Sequence, residues 1–167
     1  DKPQPVNALL KEAEKRNLSF RKGILLSGPV GCGKTSLMNI IRLFQPPDER
    51  FIIKPCRDIS FEFIHEGYAV IYKYSKQSFK NDIPRTWCFD DLGTENNLKY
   101  YGNDCNVMAE ILLSRYDLFI SRHMLTHLTT NLNSSEIEEL YGLRVRSRFR
   151  EMFNLINFDK EEKDKRS

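Results

Sequence analysis

The stretch Gly28-Pro29-Val30-Gly31-Cys32-Gly33-Lys34-Thr35 restricts what this chain can fold into more than any other part of it. It fits the pattern G-x-x-x-x-G-K-[ST]. In that pattern glycines let backbone N–H groups wrap a polyphosphate, the lysine reaches the terminal phosphates and the hydroxyl ligates Mg²⁺. The flanks supply the matching context. Gly23-Ile24-Leu25-Leu26-Ser27 is the short apolar run of a buried parallel strand. Residues 36–43 read as a helix with Leu37, Ile40, Ile41 and the following Phe44 on one apolar side. A strand, a glycine turn and a helix N-terminus focus unpaired N–H groups and the positive end of the helix dipole on one point, which makes an anion site. The phosphate cradle is therefore expected to comprise Gly28, Pro29, Val30, Gly31, Cys32, Gly33, Lys34, Thr35 and Ser36.

Along the rest of the chain, strand and helix patterns alternate. Residues 6–16 are expected to form a helix opened after Pro5, with Asn7 as its cap. Pro46 and Pro47 break the helix that follows the loop, and residues 51–54 form a second strand. Residues 58–76 suit two helices meeting near Gly67. Thr86-Trp87-Cys88-Phe89 is the central strand, residues 96–104 are a polar loop, and Val107, Met108, Ile111, Leu112, Arg115, Leu118 and Phe119 mark a long helix. Residues 124–130 are a fourth strand, and Ser134/Ser135 with Glu138 resembles a capping box for a short helix to Leu140. Gly142 punctuates. Residues 143–152 are a further helix striped by Val145, Phe149 and Met152, residues 153–158 a final strand, and residues 159–167 a charged tail. The alternation predicts a three-layer α/β domain over residues 18–158, with a parallel sheet of about five strands, helices on both faces and the ligand at the strands' C-terminal edge. Residues 1–17 are then an N-terminal helix or remnant linker.

Composition narrows the class. At 167 residues, 40% hydrophobic and 29% charged, the chain has the proportions of one globular domain with room for a full core. No apolar run approaches the ~20 residues of a membrane span, and residues 1–5 lack the apolar core of a signal peptide. The chain starts at Asp1 rather than methionine, so a processed or trimmed product is expected. The four cysteines, Cys32, Cys56, Cys88 and Cys105, make no C-x-x-C pair, which points away from zinc or disulfides and toward a reducing, cytoplasmic compartment. His65, His123 and His127 fall on separate elements and make no ligand pattern. A net charge of +3 permits a nucleic-acid partner without demanding one.

An apolar strand ending in two aspartates is what a nucleoside triphosphatase needs opposite its phosphate loop. Asp90 is placed for the metal through water, and Asp91 for the attacking water; Glu95, turned back at Gly93, is the rival base. Asn131 ends the fourth strand, where its amide can reach a γ-phosphate or the attacking water, or can simply terminate the strand in a turn. The acidic strand is expected one strand over from the loop and the Asn131 strand two over. At ~100° per residue, Arg144 and Arg148 share one flank of the apolar stripe, and Arg146 and Arg150 the other. They form either a solvated, dipole-complementing face or an arginine finger for a neighbouring subunit. Lys73, Lys76 and Lys80 interleave with Tyr72, Tyr74 and Phe79, as Lys99 does with Tyr100 and Tyr101. Such groups are half-buried tyrosines with snorkelling lysines, or a grip on single-stranded nucleic acid. Cys32, at a helix N-terminus, is either a small residue at a variable position or a thiol favoured as thiolate.

Taken in order, residues 22–35, Phe89-Asp90-Asp91-Leu92-Gly93, Thr129-Thr130-Asn131-Leu132 and Tyr141-Gly142-Leu143-Arg144-Val145-Arg146-Ser147-Arg148 resemble four segments of the AAA+ ATPases of the DnaC/IstB type, replicative helicase loaders and transposition helpers. The segments are Walker A, Walker B, sensor 1 and the arginine-finger box. The resemblance spans residues 18–158 and implies an AAA+ core with no separate helical lid domain. By it, Lys34 and Thr35 would bind phosphate and Mg²⁺, Asp90 and Asp91 would hold metal and water, and Asn131 would be the polar sensor. Arg148 would be the finger, with Arg144 in reserve, and Asp164-Lys165-Arg166 slightly echoes a sensor 2 motif. Few residues precede Leu18, so the region by which such loaders grip a helicase is expected to be missing or reduced. The implied activity is slow ATP hydrolysis stimulated by assembly, with ATP and Mg²⁺ as cofactors. The implied partners are another copy or a related ATPase, a replicative helicase or transposase-like protein, and single-stranded DNA. A P-loop kinase for a small molecule and a non-catalytic ATP-dependent docking switch are the alternatives.

Overall fold

The computed structural model describes residues 11, 14–95 and 105–158. Five strands, β1 (Gly23–Ser27), β2 (Ile52–Pro55), β5 (Trp87–Leu92), β6 (Thr126–Thr130) and β7 (Phe153–Asn157), form one sheet in the order β2-β5-β6-β1-β7. Every pairing in it is parallel. Leu25 and Leu26 of β1 are neighbours and both buried, yet they join different apolar clusters, because successive side chains on a strand point to opposite faces. Cys88 and Phe89 of β5 divide in the same way. Strands apolar on both faces must be covered on both, which is the three-layer arrangement expected from the sequence.

The expected neighbour order needs correcting. β6, which leads into Asn131, lies directly beside β1, and the acid-bearing β5 lies one strand further out. The chain leaves β1 for the edge at β2 and returns through β5, and β6 fills the gap. The asparagine is thus the near neighbour of the phosphate loop and the aspartates the far one.

The helices are α1 (Lys34–Leu43), α2 (Cys56–Glu66), α3 (Ala69–Lys73), α4 (Val107–Arg122) and α5 (Ser134–Met152). α1 packs with the Leu26 cluster through the fully buried Met38, while residues of α2, α3, α4 and α5 fill the Leu25 cluster. The apolar stripe expected on α1 is displaced. Met38 is its centre, Leu37 and Ile41 flank it, and Ile40, Leu43 and Phe44 are 52%, 61% and 86% exposed. The capping box is Asn133 with Glu136, not Ser134/Ser135 with Glu138: the Asn133 side chain accepts the Glu136 N–H at 2.9 Å, and the Glu136 carboxylate accepts the Asn133 N–H at 2.8 Å. Residues 134–141 and 143–152 run as one element, interrupted at Gly142 by a backbone at φ 90° and ψ 162°. The sequence pattern did not reveal β3 (Phe79–Lys80) and β4 (Ile83–Pro84), a hairpin closed by Asn81 and Asp82, both at positive φ. Most of the helix expected over residues 6–16, the loop at 96–104 and the tail at 159–167 lie outside the described residues.

At the amino end of the sheet two basic side chains are buried. Arg115 of α4 is 0% exposed and donates to Thr126 Oγ1 and to the carbonyls of Tyr74, Arg85 and Leu125, at 2.7 to 3.0 Å. Burial lowers its pKa to about 9. It joins the end of α3, the exit of the β3–β4 hairpin and the start of β6 at one point. His127 of β6 accepts the Ile24 N–H at Nδ1, 2.9 Å away, a bond that only the unprotonated nitrogen can accept. Burial first and the Arg115 charge second push its pKa down to about 4. Between about pH 6.5 and pH 4 the unfolded chain therefore binds a proton that the folded chain refuses, so stability falls as pH falls through that window. Urea unfolding at steps between pH 7 and pH 4 should show the loss, up to ~3 kcal/mol from this residue. His127→Gln should flatten the profile.

Candidate active site

The glycine loop connects the C-terminal end of β1 to α1, and its shape is imposed by backbone conformation. Gly31 and Gly33 have φ of 78° and 87°, and a Cβ at either would meet nothing; the left-handed conformation, not lack of space, requires glycine. Lys34 is 5% exposed and its ammonium donates to Asn131 Oδ1 at 2.7 Å and to the carbonyls of Gly28 and Pro29 at 2.8 and 2.9 Å. Cys32 Sγ lies 3.6 Å from the same nitrogen. Thr35 donates to Asp90, its hydroxyl 2.9 Å from Oδ1 and 3.1 Å from Oδ2. The structure thus brings Lys34, Thr35, Asp90 and Asn131 together at the amino end of α1. A hydroxyl and a carboxylate in contact are the hard oxygen donors that Mg²⁺ takes alongside phosphate oxygens, so the residues present fit that ion.

β5 carries its two aspartates on a bulge. Phe89 pairs with Leu128 and Leu92 with Thr130, so Asp90 and Asp91 together oppose the single residue Thr129. Without the extra residue, Leu92 would point away from the cluster that holds Phe89; with it both are buried on the same side. Asp91 takes the left-handed φ of 55°. Its N–H is donated to Thr129 Oγ1 at 2.9 Å and its carbonyl accepts from the Thr94 hydroxyl at 2.8 Å. Burial and the neighbouring Asp90 charge raise the Asp91 pKa above its ordinary value, against the pull of Lys34. Glu95 is engaged elsewhere: one oxygen accepts the Gly93 N–H at 2.9 Å and the other accepts the Tyr141 hydroxyl. Both Glu95 and Tyr141 are buried, and burial raises the pKa of each. The Thr129 contacts were not foreseen, because alternation along β6 gives a threonine no distinguishing mark. The signal available was the phase slip between Phe89 and Leu92.

The arrangement of strands and loop can be set beside known folds. No protein-family model and no curated protein matches the sequence. Solved structures do. The crystal structure of the DnaC helicase loader aligns over 95% of this chain and 92% of its own, at 18% identity and a TM-score of 0.60. That of DnaI aligns over 95% and 87%, at 19% identity and a TM-score of 0.60. AMPPCP-bound DnaA from Aquifex aeolicus aligns over 93% and 46%, at 18% identity and a TM-score of 0.60. This chain has the AAA+ fold.

Within this fold the arginines of α5 divide by side. Arg146 pairs with Glu138 and, with Arg150, lines a cavity of about 590 Å³ whose wall also includes Gly28, Pro29 and Asn131. Arg148 faces α4, its guanidinium 4.4 Å from the Tyr116 ring centre and 3.5 Å from Glu151 Oε1, and Arg144 is exposed. The basic–aromatic cluster read from the sequence is also divided. Tyr74 is core, hydrogen-bonded to Glu62, and Lys73 pairs with Glu62 at 2.9 Å. Phe79 lies under Arg122. Tyr72 and Lys76 remain at the surface, the ammonium 5.5 Å from the ring centre, and Lys99, Tyr100 and Tyr101 lie outside the described residues. No helix among the described residues is long and apolar enough to cross a membrane.

The Glu95–Tyr141 contact ties the turn after β5 to the last turn before Gly142. Tyr141→Phe removes a buried donor to a carboxylate while keeping the ring, so the protein should lose ~1–3 kcal/mol in urea unfolding. The loss should be largest at neutral pH, where Glu95 is most fully ionised, and should shrink as acid protonates it.

Proposed function

We propose that this chain is an ATP-binding and ATP-hydrolysing AAA+ domain that acts in DNA replication through nucleotide-dependent assembly, in the manner of a helicase loader. The observation that carries the reading is the convergence of Lys34, Asn131, Thr35 and Asp90 on the amino end of α1, with Lys34 2.7 Å from Asn131 and Thr35 2.9 Å from Asp90. The likeness to helicase-loader and initiator structures supports it. Lys34 exchanges its loop carbonyls for the terminal phosphates of ATP. Thr35 and Asp90 would hold Mg²⁺, which supplies positive charge to the phosphate oxygens. Asp91, its basicity raised by burial, orients the attacking water and draws its proton, and Asn131 holds that water or the γ-phosphate in line.

Arg148 supplies the positive charge that a second copy's site lacks, with Arg144 as the alternative donor. Its resting contacts, an aromatic face and one long ion pair, are weak enough to exchange for a phosphate. A finger of this kind contributes ~10³–10⁵ in rate, or roughly 4–7 kcal/mol. The partner implied is a replicative helicase. Single-stranded DNA has a surface at α2–α3, where Phe61, Tyr68 and Tyr72 are 44%, 51% and 46% exposed and Arg57 and Lys76 lie over rings at 5.5 Å.

Lys34→Ala should weaken ATP binding by about a hundredfold or more, the loss of a charge-assisted contact and of the loop's cation together. Unchanged affinity by calorimetry would remove the phosphate loop from the argument. Arg148→Ala should bind ATP normally yet lose the rise of turnover per molecule with protein concentration. Normal stimulation would exclude that residue as the finger. The same assay on the native chain, with and without single-stranded DNA, separates the ATPase from a docking switch, whose turnover neither concentration nor DNA accelerates.

A further inference from the structure

The bulge in β5 sets two carboxylate-bearing residues against one threonine, and that threonine touches both. Thr129 Oγ1 is 2.9 Å from the Asp91 nitrogen and 2.6 Å from Asp90 Oδ1. The direction of each bond is fixed by elementary chemistry. A backbone N–H can only donate, so the hydroxyl oxygen accepts from Asp91, and its single proton is given to the Asp90 carboxylate. Thr129 is 0% exposed and β-branched, which leaves its side chain little freedom to turn away.

We propose that Thr129 is the positioning residue for both acids. Its proton holds Asp90 Oδ1 so that the carboxylate faces Thr35 and the cation, and its lone pair clamps the backbone of Asp91 in the left-handed conformation that sends the second carboxylate to the attacking water. Two facts single it out from Thr35, which also bonds Asp90. Thr35 gives up that contact when its oxygen turns to a cation, whereas Thr129, buried in β6, faces no such exchange and keeps its own, shorter bond to Oδ1. A non-glycine residue at positive φ also costs energy, so it persists only where its neighbours hold it; here Thr129 grips the N–H and Thr94 the carbonyl. The adjacent Thr130 does a different job, donating to the Leu92 carbonyl at 2.8 Å and accepting the Leu132 N–H at 3.1 Å. The inference rests on the ATP reading for its chemistry but not for its geometry.

ADP titrated into the full chain with Mg²⁺ and again with EDTA separates the loop's own affinity from the increment that the cation adds. Thr129→Val keeps shape and removes the hydroxyl. It should hold the EDTA affinity within about twofold and lose about tenfold of the Mg²⁺ increment, the size of one hydrogen bond to a charge, while Thr129→Ser keeps the increment. Backbone amide exchange reads the same contact without ligand: the Asp91 N–H should be protected in the native chain and in Thr129→Ser, and fast in Thr129→Val. A Thr129→Val protein with the native Mg²⁺ increment, or with a protected Asp91 amide, overturns the proposal. If the native chain binds no nucleotide, the ATP reading fails, and the amide exchange alone decides whether Thr129 clamps Asp91. Should Thr129→Val not fold, Thr129→Cys, a weaker donor of similar size, should fall below both Thr129→Ser and the native chain in both readouts; values equal to the native chain's overturn the proposal.

Discussion

A cation held at the end of a parallel sheet by neutral oxygens sets the character of this domain. Lys34 is almost wholly removed from water, and its oxygen partners, two loop carbonyls and the Asn131 amide, carry no net charge. Carbonyl dipoles solvate an ammonium incompletely, so the loop keeps a positive potential that an anion can satisfy. Everything that positions the site follows from keeping that lysine beside β6 and keeping β5 within reach beyond it. The parallel pairing of β1 with β6 and of β6 with β5 does this, aided between β6 and β5 by the Thr129 and Thr130 hydroxyls.

The opposite end of the same strands meets a similar demand differently. Arg115 is fully buried and also bonded to neutral oxygens, but there the acceptors are spread over α3, the hairpin exit and β6. Arg115 is therefore consumed in joining segments, whereas Lys34, whose carbonyl acceptors belong to its own loop, can release them without loosening the fold. Position in the topology separates a structural cation from an available one more clearly than burial does.

How much of this could be read from the chain depended on whether the signal was local. The glycine loop, β1 and α4 were legible because composition and periodicity within a dozen residues specify them. β5 was legible only to Phe89, since the bulge that carries it on through both aspartates to Leu92 breaks the apolar pattern. The cap of α5 was misplaced by one residue, since Asn133 and Ser134 are both good caps and only the reciprocal Glu136 bonds decide between them. The stripe on α1 was misread because Ile40 and Phe44 are apolar yet exposed, which no pattern of hydrophobicity discloses. The β3–β4 hairpin has two-residue strands, too short to show a period, and only the Asn81-Asp82 pair marks it. Strand order was reversed because sequence order says nothing about which later strand fills a gap. Thr129, and the engagement of Glu95 by Tyr141, were out of reach for the same reason: each is a contact across more than 35 positions.

The interruption at Gly142 insulates the two halves of α5 from one another. In an unbroken helix, gaining or losing one residue swings every later side chain by ~100° about the axis, which would carry the arginines off their surfaces. Here residues 143–152 take their rotational phase from Val145, Phe149 and Met152 in the core, and residues 134–141 take theirs from Ile137 and Tyr141. Length change at the junction is thus absorbed locally, and each half keeps its own face on the core.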